Sequence, residues 1–291
     1  MEKEMAVGKE AVRRIAQSKA IYIALDGKEY SVISLEAAGL IARDMGIPPK
    51  AIEIAALEQG IIPLRYLRNM GTIGPEGQVK LLRSAVAVVG AGGLGGTVVE
   101  LLARQGVGQI IIIDKDRFSE EDLNRQLMCT EKDLGEHKAV VAAKRVKEIN
   151  SSVIVTSHTE EITGANIREL IKEAQVVADG LDNLPSRFLV EEACRGLGIP
   201  FISGAIAGFG GQLTTIFPED KGLSSIYGKR EDVPERGVEL ETGNPSATPT
   251  MIAAWQVQEV TKIVTGIGKL LRNRLLLLEA TDGIAEVIQL A

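Results

Sequence analysis

The chain is poor in the residues that staple or metallate small folds: its 291 residues include only two cysteines, Cys129 and Cys194, and two histidines, His137 and His158. Without a C-x-x-C pair, cysteine can build neither a disulfide framework nor a zinc site, and two histidines do not make up the deficit. We therefore expect no zinc. No apolar run reaches the roughly 18 residues that a membrane helix needs. The opening MEKEMAVGKEAVRR mixes both charges around no apolar segment, so no signal peptide is expected. Positive charge is also short. Lys+Arg 33 against Asp+Glu 39 gives a net charge of -6, a field that repels phosphate backbones and anionic lipid but leaves room for a local basic pocket. Nucleic acid and membrane are poor partners for such a chain, and a soluble, cytoplasmic protein is expected.

What is present is ordinary globular material. Hydrophobic residues at 45% and charged residues at 25% exclude disorder, collagen and coiled coil. A chain this long buries about 75% of the surface its unfolded form exposes, enough to fold without cross-links. At about 150 residues per domain, one large domain and a smaller one are expected.

Residues 1–64 read differently from the rest. IYIALDGKEYSVI places two apolar runs around Asp26-Gly27, a hairpin signal. Ser34 reads as an N-cap for LEAAGLIARDMG, and Pro48-Pro49 punctuates before KAIEIAALEQG. Two helices around a turn also fit a helix-turn-helix, but Glu53 and Glu58 in the second helix and the acidic chain favour a small α+β docking or packing domain.

From Ser84 the pattern alternates. AVAVVG and QIIIID are short all-apolar runs, and LGGTVVELLARQG and EHKAVVAAKRVKEIN have helical spacing, with Ala139, Ala142, Val146 and Ile149 on one face of the latter. SVIVTSH, IRELIKEA, QVVAD, SRFLVEEACRGLG and PFIS continue the series. Apolar strands separated by helices predict an α/β fold with a doubly wound, mostly parallel, Rossmann-like sheet over residues 65–291. QLTTIF, a polar loop from Pro218 to Pro249, a helix with Trp255 in its core-facing pattern, and the strands RLLLLEA and IAEVIQL close the chain as antiparallel additions.

The chemistry gathers after the first apolar strand. Gly90-Ala91-Gly92-Gly93-Leu94-Gly95 follows a strand and opens a helix, the context in which glycines let the backbone approach phosphates at a helix N-terminus. Asp114 ends the next strand, where a carboxylate accepts from ribose hydroxyls. These features alone say "nucleotide", and an NAD-dependent oxidoreductase fits them equally. Asp116, Asp122, Arg125 and Gln126 follow in DKDRFSEEDLNRQ, and Lys138 in LGEHKA. Cations beside a pyrophosphate suit a site that moves charge onto a leaving group, although each one singly is equally a surface ion pair. QVVADGLDN places Asp179 at a strand end and Asp182-Asn183 in the turn, where Asp182 either holds Mg²⁺ or caps the helix at Pro185.

Together these residues resemble the HesA/MoeB/ThiF family, the bacterial relatives of ubiquitin-activating enzymes. The motifs are RYLRN at 65–69, GAGGLGG, the D-x-D of Asp114 and Asp116, LNRQ at 123–126, the lysine of GEHKA and the D-N at 182–183. The resemblance implies an adenylyltransferase that uses ATP and Mg²⁺ to activate the C-terminal glycine carboxylate of a ubiquitin-like sulfur carrier protein. It further implies that Gly90, Gly92, Gly93 and Gly95 cradle the phosphates and that Asp114, Asp116, Asp122 and Gln126 belong to the nucleotide site. Arg125 and Lys138 would stabilise the transition state and Asp182 would hold the metal. Arg68 would reach across a homodimer into the partner's site. A tRNA threonylcarbamoyladenosine dehydratase-like enzyme and a silent nucleotide-binding relative share the same motifs.

Two departures stand out. The family commonly has asparagine where this chain has Asp122, and a carboxylate there repels phosphates unless a cation intervenes. Many members also carry paired C-x-x-C ligands or a reactive cysteine in the crossover loop, and FPEDKGLSSIYGKREDVPERGVELETGNPSATP has neither. Cys129 and Cys194 read as buried packing, so adenylation without a thioester step is expected. His137 reads as a surface helix start. Gly208, Gly210 and Gly211 read as a tight strand transition, and Lys229, Arg230, Glu231 and Asp232 either close over a carrier tail or are simply solvated.

Overall fold

The computed structural model describes residues 8–23, 27–232 and 242–290. Residues 8–63 form their own small layer. Helix α1 (Lys9–Gln17) leads into β1 (Ala20–Ile23) and β2 (Glu29–Ile33), which pair antiparallel from Ala20↔Val32 to Ile23↔Glu29. The predicted hairpin is there, although Asp26 of its turn lies outside the described residues. Ser34 caps α2 (Leu35–Met45), its hydroxyl accepting from Ala37 N–H at 3.1 Å, and Gly46 closes that helix in the left-handed region. Pro49 opens α3 (Pro49–Glu58), and β3 (Ile62–Pro63) returns parallel to β2. Ala11, Ile15, Ile33, Ile41, Ile52 and Ala56 make a separate apolar cluster under this sheet.

A buried polar joint ties that unit to the rest. Tyr66 is fully buried; its hydroxyl donates to Glu53 at 3.3 Å and accepts from Asn150 Nδ2 at 2.9 Å. Arg65 lies 3.5 Å from Glu53 and also bonds Asn150. Glu53 is therefore turned inward and pairs within the protein. Leu57, Tyr66 and Leu82 pack as a cluster of their own at this joint.

The large sheet runs in the order β11-β10-β9-β8-β7-β4-β5-β6. Its strands are β4 (Ala85–Val89), β5 (Gln109–Ile113), β6 (Ile154–His158), β7 (Val176–Asp179), β8 (Phe201–Ala207), β9 (Gly210–Ile216), β10 (Arg274–Glu279) and β11 (Ile284–Gln289). β6, β5, β4, β7 and β8 are mutually parallel, and β9, β10 and β11 add antiparallel. Period-two alternation loads both faces: Val86 and Val88 of β4 join one cluster, Ala87 and Val89 the other. On the first side lie α4 (Met70–Arg83), α5 (Gly93–Gln105), α6 (Lys138–Ile149) and α10 (Ala247–Thr265). On the other lie α7 (Ile167–Ile171), α8 (Leu184–Leu197) and the short α9 (Ser224–Tyr227). The chain leaves β4 toward β5 on one side and reaches β7 on the other, so the switch point of the sheet lies between the ends of β4 and β7.

One expected core residue is not in the core. Trp255 is 41% exposed, because α10 presents Ile252, Ala253, Gln256 and Val257 inward and Trp255 falls on the opposite face. The glycine-rich transition after β8 is a hairpin, with Gly208 at a φ of +57° and its carbonyl held by Thr248 Oγ1 at 2.7 Å. Among the described residues, no helix is long and apolar enough to cross a membrane.

Candidate active site

The switch point is closed by backbone packed on backbone. Gly90 follows β4 with a φ of +91°, a conformation glycine enters without strain. A side chain on Gly90 would collide with the Gly180 carbonyl just past β7, and one on Gly95 would collide with the Gly90 carbonyl. These three glycines draw the ends of β4 and β7 and the first turn of α5 together. Gly92 differs from them. A Cβ there would meet only the Gln126 amide, from 3.7 Å outward, so packing alone does not demand glycine. Gly92 is the N-cap of α5, and the first-turn N–H groups of a helix, which have no intrahelical partner, are the arrangement that binds anions.

Asp114, one residue past β5, braces the loop. Its Oδ2 accepts from Ala91 N–H and its Oδ1 from Asp116 N–H, both at 2.7 Å. Burial pushes the Asp114 carboxyl above the usual carboxylate range, and these two N–H donors pull it back.

The predicted cations meet around Asp122. This residue ends a 3-10 turn, Glu120–Asp122, and its Oδ2 closes a capping box with Ser119, accepting from the backbone N–H at 3.0 Å and the hydroxyl at 3.1 Å. Oδ1 accepts from Gln126 Nε2 and lies 3.5 Å from the Arg125 guanidinium, and Oδ2 lies 3.5 Å from Lys138 Nζ. Lys138, at the first position of α6, is also 3.9 Å from the exposed Asp116 carboxylate and 5.9 Å from the Phe118 ring centroid. Arg125 donates to the Glu121 carbonyl at 2.9 Å and to Asn124 Oδ1 at 2.8 Å. The cluster abuts the glycine loop: the Arg125 carbonyl is 3.3 Å from where a Gly93 side chain would begin. The phosphate repulsion expected of Asp122 is thus met inside the protein by two cations and three further hydrogens.

Asp182 stands on the other lip. Asn183 caps α8, its Oδ1 accepting from Ser186 N–H at 2.9 Å, so the capping role foreseen for Asp182 falls to its neighbour. The Asp182 carboxylate is exposed and, among the described residues, accepts only from Asn183 Nδ2, at 3.1 Å. Sequence pattern did not single out what holds its turn in place. Fully buried Asp179 accepts from Leu181 N–H at 2.9 Å, and Arg187, 3.1 Å from Asp179, donates to the Leu181 carbonyl at 2.6 Å. Burial pushes the Asp179 carboxyl up, opposed by Arg187. Gly180 carried a signal that could have been read, a glycine directly after an apolar strand.

Arg68 does not join this site. It is exposed on the 3-10 segment Leu64–Asn69 and pairs with no described residue. His137 sits at the N-cap of α6 without capping it, and His158 lies beside Glu160 at 3.8 Å. Cys129 and Cys194 are both buried. Lys229 pairs with Glu231 at 3.8 Å and Arg230 with Glu192 at 3.1 Å, all in solvent. Residues 233–241 of the crossover loop lie outside the described residues.

A glycine cradle at a switch point and an adjoining cation cluster are the parts of a nucleotide site, and the ThiF family profile matches residues 66–291. The chain belongs to the ThiF family. It is 36% identical over 229 residues to the SAMP-activating enzyme E1 of Haloferax volcanii, across 77% of this chain and 84% of that protein. It is 35% identical over 231 residues to the sulfur carrier protein adenylyltransferase of Thermus thermophilus, across 75% and 83%. Among solved structures, E. coli MccB with ATP is similar at a TM-score of 0.65 and 20% identity, covering 97% of this chain and 87% of that one. PaaA is similar at 0.66 and 20% identity, covering 78% and 82%. Those two likenesses speak for the fold. This ThiF-family chain is an adenylyltransferase, a class whose reaction uses ATP.

Proposed function

We propose that this enzyme uses ATP and Mg²⁺ to adenylate the C-terminal glycine carboxylate of a small ubiquitin-like sulfur carrier protein, and that its chemistry stops at the acyl-adenylate. Its Thermus relative is by name an adenylyltransferase of a sulfur carrier protein. The observation that carries the reading is the gathering of Arg125 and Lys138 around Asp122, in a segment whose Arg125 backbone lies against Gly93 at the start of α5.

A carrier carboxylate oxygen attacks the α-phosphorus, the bond from that phosphorus to the bridging oxygen breaks, and pyrophosphate leaves with the electron pair. The carboxylate is already ionised at neutral pH, so no general base is needed. Arg125, Lys138 and the α5 N–H groups act on the charge that develops across the phosphates, in positions fixed beforehand. Asp114, with lone pairs left on both oxygens, suits the ribose hydroxyls. Asp182 fits Mg²⁺, which takes one or two carboxylates together with phosphate oxygens. No group of three metal-ligating side chains occurs among the described residues, so the nucleotide would supply the other ligands. When bound, the ion offsets phosphate charge. Arg68, without a partner in its own chain among the described residues, is free to act across a homodimer.

The state of the two cysteines supports stopping at the adenylate. Burial pushes both the Cys129 and Cys194 thiols upward, away from the thiolate that a thioester step needs. The test is ATP–pyrophosphate exchange with candidate carriers ending in Gly-Gly. Exchange should require ATP, Mg²⁺ and carrier together. Equal exchange without carrier, or none with any carrier, defeats the proposal.

A further inference from the structure

The Asp122 carboxylate sits where a neutral amide would serve the local fold as well. Its capping box needs only an acceptor for Ser119, which an asparagine Oδ1 supplies. The carboxylate also sets the orientation of its neighbour. Gln126 must point Nε2 at Asp122, and its Oε1 is left buried with no partner among the described residues. An asparagine at 122 keeps a hydrogen bond to Gln126, its Nδ2 donating to Oε1 once the Gln126 amide has turned over. What the carboxylate adds is a negative charge 3.5 Å from Arg125 and 3.5 Å from Lys138, the two cations proposed above to act on the phosphates.

Resting on the adenylation reading, we propose that Asp122 is a positioning residue whose charge stands in for phosphate, holding Arg125 and Lys138 in place until the nucleotide arrives. It acts through those two side chains and through Gln126, not by touching substrate. Two consequences follow from the geometry. The cations are ordered before binding, so less freedom is lost when the transition state forms. The same anion competes with the nucleotide for them, so it weakens ground-state binding of ATP. Binding and turnover are thereby moved in opposite directions by one charge, a pattern that loss of packing does not produce.

The amide turnover makes Asp122→Asn a variant that can fold, and thermal melting verifies that it has. Calorimetric titration with MgATP in the absence of carrier should show a several-fold lower Kd than the parent chain. Carrier-dependent exchange should show kcat reduced about tenfold to a hundredfold, the scale of a misplaced catalytic contact. Ser119→Ala removes one hydroxyl contact but keeps the charge, and should leave both quantities within about twofold if charge is what matters. An Asp122→Asn Kd that is unchanged or raised, or a kcat equal to the parent's, overturns the proposal. If the parent chain itself exchanges no pyrophosphate with any carrier, the adenylation reading falls, and the binding arm alone still decides the role of Asp122: tighter supports it, unchanged or weaker refutes it.

Discussion

Single atoms at the cradle separate glycines needed by the fold from one left open to a ligand. A methyl on Gly95 would be driven into the Gly90 carbonyl, whereas one on Gly92 meets only the Gln126 amide at van der Waals distance. Gly95→Ala is therefore expected to lose folded yield, while Gly92→Ala folds like the parent and binds MgATP at least about tenfold more weakly, the cost of a blocked phosphate approach. Melting curves beside calorimetry distinguish the two; a Gly92→Ala chain with unchanged affinity means the phosphates lie elsewhere. Among the described residues, the Arg125 guanidinium is held only by neighbours in its own segment, Glu121, Asp122 and Asn124, and the exposed Asp182 carboxylate accepts only from Asn183. Replacing either with alanine should cut carrier-dependent exchange at least about a hundredfold, the scale of losing one preorganised electrostatic contact, with melting temperature nearly unmoved. A tenfold smaller loss for either would take that residue out of the reacting centre.

Elements in this molecule are joined by a few long-range polar contacts as much as by apolar faces. The Glu53–Tyr66–Asn150 joint links α3 to the end of α6. Tyr66→Phe removes a hydroxyl that both donates and accepts there, and should cost about 1–3 kcal/mol in urea unfolding, the range for unsatisfied buried groups; an unchanged midpoint would show that the joint contributes nothing. Burial pushes the Glu53 carboxyl up, with Arg65 pulling it back. An acid raised in the folded state contributes stability below its unfolded value and loses it as pH rises through the folded one. Urea midpoints should accordingly show a downward contribution with rising pH that Glu53→Gln abolishes. The element pattern itself was legible in sequence: β4, β5 and β7 are continuous apolar runs because both sheet faces are covered, and the glycine cradle is local. What joins them was not. Glu53, Tyr66 and Asn150 are far apart in the chain, and Asp122 is recognisable as a hub only once Lys138 folds back onto it. Trp255 shows the other limit, since a large apolar side chain at helical spacing reads as core whichever face the helix turns inward.

For the whole molecule the open matter is whether one chain makes a complete site. Arg68 is exposed and unpaired among the described residues, well separated in role from the cluster at Asp122, and within a single chain it stabilises nothing visible. Placed across a two-fold axis it would bring a third cation to the partner's phosphates, and each site would then draw Asp182 from one subunit and Arg68 from the other. The arithmetic of mixing tests this. Arg68→Ala and Asp182→Ala homodimers should each be nearly inactive, because every site lacks one group. In an equal mixture after subunit exchange, half the dimers are mixed; in each of these, the site on the Arg68→Ala chain regains both groups, while the other site lacks both. Exchange activity should thus recover to about a quarter of the parent's. Recovery of that size, appearing only after the subunits have been allowed to exchange, means the catalytic unit is the dimer and that dilution below its dissociation constant will silence it. A verified mixed dimer with no recovery would confine Arg68 to its own chain, and the search for the remaining phosphate contact would return to the cations already gathered around Asp122.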